Sequence, residues 1–116
     1  MPDQGDIVLV PVPFTDLSSE KRRPVIVISN NDYNRTTADI VVVAMTSSPT
    51  AGIYSLPVTS ADLERGQLNR PGTVRVDKVY TLSQSIVVKT FGRVRPELLA
   101  RVNALLVKLT APQPPL

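Results

Sequence analysis

The sequence contains no cysteine, no histidine and no tryptophan, and only 4% of its residues are aromatic. Without cysteine, the 116-residue chain can form no disulfide, thiolate nucleophile or cysteine-ligated zinc site. Without histidine, it lacks the commonest metal ligand and the side chain best suited to proton transfer near neutral pH. We therefore expect no metal and no cofactor, and any catalysis would depend on Arg, Asp, Glu, Lys, Ser, Thr, Tyr or the backbone.

Membrane and export signals are also missing. No apolar run approaches the length of a membrane span. The apolar residues 7–14 are interrupted by Pro11 and Pro13, and the charges before them are Asp3 and Asp6 rather than lysine or arginine. We therefore expect a cytoplasmic protein.

The net charge of +3 is distributed unevenly. Residues 1–20 carry only acidic charges, whereas every charged residue between 65 and 95 except Asp77 is basic. A solvated surface could have this composition. The alternative is a groove that follows the phosphates of a nucleic acid.

Short β-branched runs predict a mainly β fold with one C-terminal helix. We expect this fold to be a small, strongly bent antiparallel sheet or barrel. A polar loop follows the first strand, and a single helical turn at 61–66 ends at a glycine. Strands are predicted at 5–10, 24–29, 39–45, 55–59, 73–77, 79–82 and 86–89.

From Pro96 onward the apolar period becomes helical, with Leu98, Val102, Leu105 and Leu109 on one face. Proline suits the first position of a helix, and the prolines after residue 111 prevent its continuation. The sequence therefore predicts a single domain at 1–110 and a proline-rich, flexible tail at 111–116.

Two arginines lie where strands could aim them at a phosphate. Arg23 precedes the buried run that begins at Pro24, and a guanidinium can bind two phosphate oxygens at once. Arg75 and Asp77 are two residues apart in a predicted strand and therefore point to the same face. Thr46 ends the third predicted strand and offers a hydroxyl.

Several segments, taken together, resemble the MazF/PemK (Kid) toxins in order and spacing across nearly the whole chain. The matching segments are Gly5-Asp6-Ile7-Val8, residues 23–29 (RPVIVIS), Val43-Ala44-Met45-Thr46, residues 72–82 (GTVRVDKVYTL) and Phe91-Gly92-Arg93-Val94. The resemblance implies an SH3-like, CcdB-type barrel that works as a homodimer. It also implies a metal-independent, sequence-selective endoribonuclease of a type II toxin–antitoxin system, restrained by an antitoxin with an acidic disordered tail.

Where the family's motifs match this sequence, the resemblance implies that its site residues are Arg23, Thr46, Arg75 and Asp77. We take these four as the candidate catalytic residues. Two features depart from the family pattern. The Kid-type histidine between the first two strands is absent, and the MazF-type serine is replaced by Pro71-Gly72-Thr73. Asp77 could accept a proton from the ribose 2′-hydroxyl, but pairing with Arg75 would weaken it as a base.

Further residues could contact single-stranded RNA, through aromatic stacking or through charge and hydroxyl groups. Each has a simpler alternative. The two aromatics could pack in the core, the cations could be solvated, Thr46 could be an ordinary strand-end hydroxyl, and Arg23 could pair with Glu20. Arg75 and Asp77 could form only a salt bridge. The candidate RNA-binding residues are Phe14, Lys21, Arg22, Ser47, Tyr54 and Arg70.

Two other functions fit the same fold. One is a non-catalytic inhibitor of the CcdB type, but that mode uses aromatic residues at the end of the C-terminal helix, where this chain has Lys108-Leu109-Thr110. The other is a degenerate nuclease that binds RNA or a protein partner without cleaving RNA, which the missing histidine leaves open.

Overall fold

A computed structural model describes residues 1–11, 22–48 and 52–116 of the chain. The candidate RNA-binding residues Phe14 and Lys21 lie outside these ranges, as does Glu20. The elements are β1 (Asp6–Pro11), β2 (Arg22–Val27), α1 (Asn31–Thr36), β3 (Asp39–Thr46), β4 (Ser55–Val58), β5 (Leu63–Arg65), β6 (Gly72–Ser83), β7 (Lys89–Val94) and α2 (Pro96–Thr110), with 3-10 turns at Ser60–Asp62 and Gln84–Ile86.

Within the described residues, the strands form one seven-stranded sheet in the order β4-β6-β3-β2-β1-β7-β5. Every pairing is antiparallel. Register shifts in β3–β6, β1–β7 and β5–β7 bend the sheet, because an extra residue increases local twist. The sheet therefore curls, and the predicted mainly β fold with a C-terminal helix is confirmed.

Apolar side chains are buried on both faces of this sheet, which explains why several strands are continuously β-branched rather than alternating. One buried cluster, the helix-side core, includes Ile7, Ile26 and Val43 and is covered by Leu98 and Val102 of α2. The second cluster lies on the opposite face and consists of Val8, Val10, Val25, Val27, Ile40 and Val42, with Tyr80, Leu82, Ile86 and Val87 packed against it.

Helix α2 begins with a proline at its first turn and carries Glu97 where the helix dipole favours an acid. It ends at Thr110, as the sequence predicts, and residues 111–116 are exposed and have no regular secondary structure. Among the described residues, no helix has both the length and the hydropathy needed to cross a membrane.

Some element predictions were wrong. The predicted strands 73–77 and 79–82 are one strand, β6, which continues through a register shift against β3. The predicted strand 86–89 is mostly a 3-10 turn and its C-cap, and β7 begins only at Lys89. Helix α1 was not predicted, and it begins after Asn30 because the side chain of this residue accepts a hydrogen bond from the Tyr33 backbone N–H at 2.8 Å.

Candidate active site

Arg23 lies near the start of β2, opposite Val10 of β1. Side chains alternate along a strand, so Arg23 points to the same face as Val25 and Val27, away from α2. Its side chain is half-buried, and its Nε atom is buried. The protein therefore buries part of this guanidinium group.

Thr46 is the last residue of β3 and lies on the face that Arg23 occupies. The β2–β3 register pairs Val25 with Ala44, and Arg23 and Thr46 each lie two residues beyond that pair in their strands, so alternation turns both to the same face. On its other side, Thr46 pairs with Thr73 of β6. The Thr46 hydroxyl accepts a hydrogen bond from the backbone N–H of Ser48 at 3.1 Å, so its own proton remains available to a ligand.

Arg75 and Asp77 lie on the same face, in the neighbouring strand β6. Arg75 pairs with Ala44 of β3 and with Ser55 of β4. Its Nε donates to Oδ1 of Asp77 at 3.0 Å, and its Nη2 donates to Oδ2 at 2.9 Å. This two-pronged contact is the same-strand salt bridge that the spacing predicts, and it leaves Nη1 of Arg75 directed elsewhere.

The salt bridge changes the acid–base properties of both groups. The hydrogen bond from Arg75 lowers the pKa of Asp77, against the opposing effect of partial burial. The same contact raises the pKa of Arg75. Asp77 is therefore a weak base at neutral pH, and its geometry suits it to orienting Arg75.

The other four candidate RNA-binding residues lie in three places. Arg22 is exposed at the start of β2, next to Arg23. Tyr54 is half-buried, and its carbonyl accepts a hydrogen bond from Val76 N–H at 2.9 Å. Ser47 and Arg70 are exposed and lie together on the wall of a separate cavity. The structure thus brings the four candidate catalytic residues to one face but places Ser47 and Arg70 elsewhere.

Arg93, which the sequence places in the basic segment, forms a different kind of site. Its Nε donates to Oδ1 of Asp6 at 2.9 Å, and its Nη2 donates to Oδ2 of Asp3 at 3.0 Å. Asp6 is only 6% exposed, and hydrogen bonding to Asp6 raises the pKa of Arg93. This ion pair joins β1 to β7, so we interpret Arg93 as a residue that stabilises the sheet rather than as a free positive charge.

The shared face therefore presents two guanidinium groups and a hydroxyl on three adjacent strands, which lie about 4.7–4.9 Å apart. Guanidinium groups and hydroxyls donate hydrogen bonds to phosphate oxygens. Such an arrangement can hold a phosphodiester and stabilise negative charge that develops on it.

Comparison with known proteins defines the class of this molecule. The fold matches the MazF–MazE structure of Deinococcus radiodurans, with a TM-score of 0.77 at 23% identity over 97% of each chain. An endoribonuclease from a Mycobacterial species gives a TM-score of 0.75 at 26% identity, covering 97% of this chain and 95% of its own. A Mycobacterial endoribonuclease bound to its cognate antitoxin also gives 0.75, at 23% identity, over 98% of this chain and all of its own.

The family model for the PemK-like, MazF-like toxins of type II toxin–antitoxin systems matches residues 3–110. The chain therefore belongs to the PemK/MazF family of toxins, as its sequence segments suggest. No curated protein matches the chain.

Proposed function

We propose that this toxin is a metal-independent, sequence-selective endoribonuclease that cleaves single-stranded RNA. The observation that carries the proposal is the common face shared by Arg23, Thr46 and Arg75. Family membership and the endoribonucleases among its structural neighbours support the same activity.

In the proposed reaction, the ribose 2′-oxygen attacks the adjacent phosphorus and the 5′-oxygen of the next nucleotide leaves. The products are a 2′,3′-cyclic phosphate and a free 5′-hydroxyl. Arg23 binds the phosphoryl oxygens as their negative charge grows, and the Thr46 hydroxyl donates to the same group. One donor of this kind contributes about 3–4 kcal/mol to the barrier reduction.

Arg75 completes the phosphate site, and Asp77 fixes its orientation. Because Asp77 accepts hydrogen bonds from Nε and Nη2, the remaining nitrogen, Nη1, can approach the phosphate. The lowered pKa of Asp77 makes it unsuited to removing the 2′-hydroxyl proton. We assign the removal of that proton to solvent hydroxide and the protonation of the leaving 5′-oxygen to water, so the enzyme is slow and relies on positioning and electrostatics.

The partners follow from the same proposal. A second copy of the chain forms a homodimer, and a cognate antitoxin covers the RNA-binding face with an acidic disordered segment, whose charge complements Arg22, Arg23 and Arg75. The antitoxin complexes among the structural neighbours support this pairing. On gel filtration, the toxin should elute as twice its 12.6 kDa mass.

The test is cleavage of a long single-stranded RNA in EDTA by the wild type, Arg23→Ala and Thr46→Ala. The wild type should give discrete fragments with 5′-hydroxyl ends, and Arg23→Ala should lose about 10²–10³-fold in rate. Arg101→Ala, which removes an exposed arginine from α2, is the matched control and should cleave normally. Intact RNA after incubation with a folded wild-type dimer would contradict the proposal and favour a non-catalytic binding protein.

A further inference from the structure

A second cavity lies behind the candidate active site, on the opposite face of the same strand ends. It has a volume of 490 Å³, and its wall includes Leu9, Pro24 and Ser47. Leu9 and Pro24 are cross-strand partners in β1 and β2. Pro24 directly follows Arg23 within β2, so alternation turns it to the other side of the sheet, and Ser47 directly follows Thr46 at the end of β3. Only the ends of β2 and β3 separate the two sites.

The other wall of the cavity is formed by the loop at 66–71 and by β7. Arg70 of the loop and Lys89 of β7 are both exposed on this wall, and neither forms an ion pair within the described residues. No acidic residue is among the described side chains that line the cavity. Among the described side chains, an anion that enters the cavity therefore meets two cations and no carboxylate.

The same wall offers groups that recognise a nucleobase. The side-chain amides of Gln67 and Asn69 can both donate and accept hydrogen bonds, as base edges require. Phe91 of β7 is half-buried, lines the same cavity and has an aromatic ring on which a base can stack. The volume falls within the range of about 300–1,000 Å³ that is usual for small-molecule sites.

The loop that carries these amides is fixed to the sheet. Ser60 Oγ accepts a hydrogen bond from the Leu68 N–H at 2.9 Å and donates to the Leu68 carbonyl at 3.3 Å. Gly66 has a φ of +84° and passes so close to the Phe91 carbonyl that a side chain would overlap it. The backbone that carries the two amides is thus held against the Ser60–Asp62 turn and β7.

We propose that this cavity binds the nucleotide next to the scissile phosphate, with Arg70 and Lys89 on its phosphate, Gln67 and Asn69 on its base edge, and Phe91 under the base. The inference rests on the proposed nuclease function, because it places the RNA across the ends of β2 and β3. It assigns part of the sequence selectivity to a side of the sheet that carries no candidate catalytic residue.

The first experiment measures binding of a short fluorescein-labelled RNA of random sequence, in which fluorine replaces the 2′-hydroxyls to prevent cleavage. Arg70→Ala/Lys89→Ala should weaken binding about tenfold and reduce the slope of log K against log salt by about 1.4, the value for two lost contacts to a single strand. Arg101→Ala/Lys108→Ala removes the same charge from exposed positions of α2 and should change neither quantity. Equal binding by the two double variants would overturn the inference.

The second experiment maps the sites cut in a random-sequence RNA by the wild type and by Gln67→Ala/Asn69→Ala. The variant should still cleave, but its base preference should be reduced several-fold at one position adjacent to the cut. An unchanged preference at every position would overturn the assignment of base recognition to this cavity.

The two experiments separate this inference from the nuclease proposal. If the wild type binds RNA through Arg70 and Lys89 but never cleaves it, the proposed nuclease function is refuted. The proposal that the cavity binds a nucleotide is then kept. A wild type that cleaves RNA while both sets of variants match it would refute the cavity alone. Failure of the wild type to bind or cleave RNA would refute both.

Discussion

Asp77 accepts two hydrogen bonds from Arg75, of 3.0 and 2.9 Å, and the two residues are neighbours on one face of β6. Both side chains are about one-third exposed, so the pair contributes little to the stability of the fold. The pair instead orients the Arg75 guanidinium on the face of the sheet that also carries Thr46 and Arg23.

These two hydrogen bonds predict a specific effect of Asp77→Asn. The amide keeps the size of the side chain but removes the charge, so Arg75 becomes less well oriented. We expect the cleavage rate to fall about tenfold, equivalent to about 1.4 kcal/mol, with little change in thermal stability. Single-turnover kinetics and a melting curve provide the measurement. Asp77→Glu should recover part of the rate, and a full-rate Asp77→Asn variant would exclude the orienting role.

The pH dependence follows from the missing histidine and from the depressed pKa of Asp77. Asp77 stays ionised down to a lower pH than usual, and the small stabilisation from its pair is lost only as the pH falls through that lowered pKa. We therefore expect the logarithm of the single-turnover rate to rise steadily between about pH 5 and 8. A bell-shaped profile centred in this range would reveal a side-chain base and contradict the use of hydroxide.

Gly66 controls the loop that forms the second cavity. A methyl group there would overlap the Phe91 carbonyl, and the backbone has a left-handed φ of +84°. Gly66→Ala should lower the free energy of unfolding by about 1–3 kcal/mol. Gly52→Ala is the matched control, since among the described residues only Ser55 Oγ lies near its added methyl, at 3.7 Å. Equal unfolding curves for the two variants would show that the loop can move away from the Phe91 carbonyl without a loss of stability.

The Arg93–Asp6 pair should matter for folding rather than for RNA binding. Arg93→Met leaves a nearly buried carboxylate without its main partner, and we expect a loss of about 2–3 kcal/mol, somewhat less than for a fully buried pair. Arg35→Met breaks the exposed pair with Asp32 and should cost less than about 1 kcal/mol. Denaturant unfolding distinguishes the two, and similar losses would contradict the structural role of Arg93.

The sequence predicted the strands that carry the candidate catalytic residues because those strands are β-branched and have clear ends. Arg23 and Thr46 could be placed at strand ends from local pattern alone. The Arg75–Asp77 salt bridge could also be predicted, since residues two apart in a strand share a face. The family segments supplied the rest of the candidate site.

Features that depend on distant contacts could not be predicted in this way. The segment at 86–89 is apolar and β-branched, yet Ile86 and Val87 pack on the second cluster in a turn, and β7 starts later. The second cavity requires the loop around Arg70 to meet Lys89 of β7. The ion pair of Arg93 could not be predicted either, because its partner, Asp6, lies at the other end of the chain.

The most direct measurement is a double-mutant cycle on cleavage of one RNA by the wild type, Arg23→Ala, Thr46→Val and the double variant. If both side chains act on one phosphoryl group, each single change should slow cleavage, and the double variant should be faster than the product of the two effects predicts. Independent, multiplicative effects would contradict a shared phosphate site, and full activity in Arg23→Ala would exclude the proposed catalytic role of that residue.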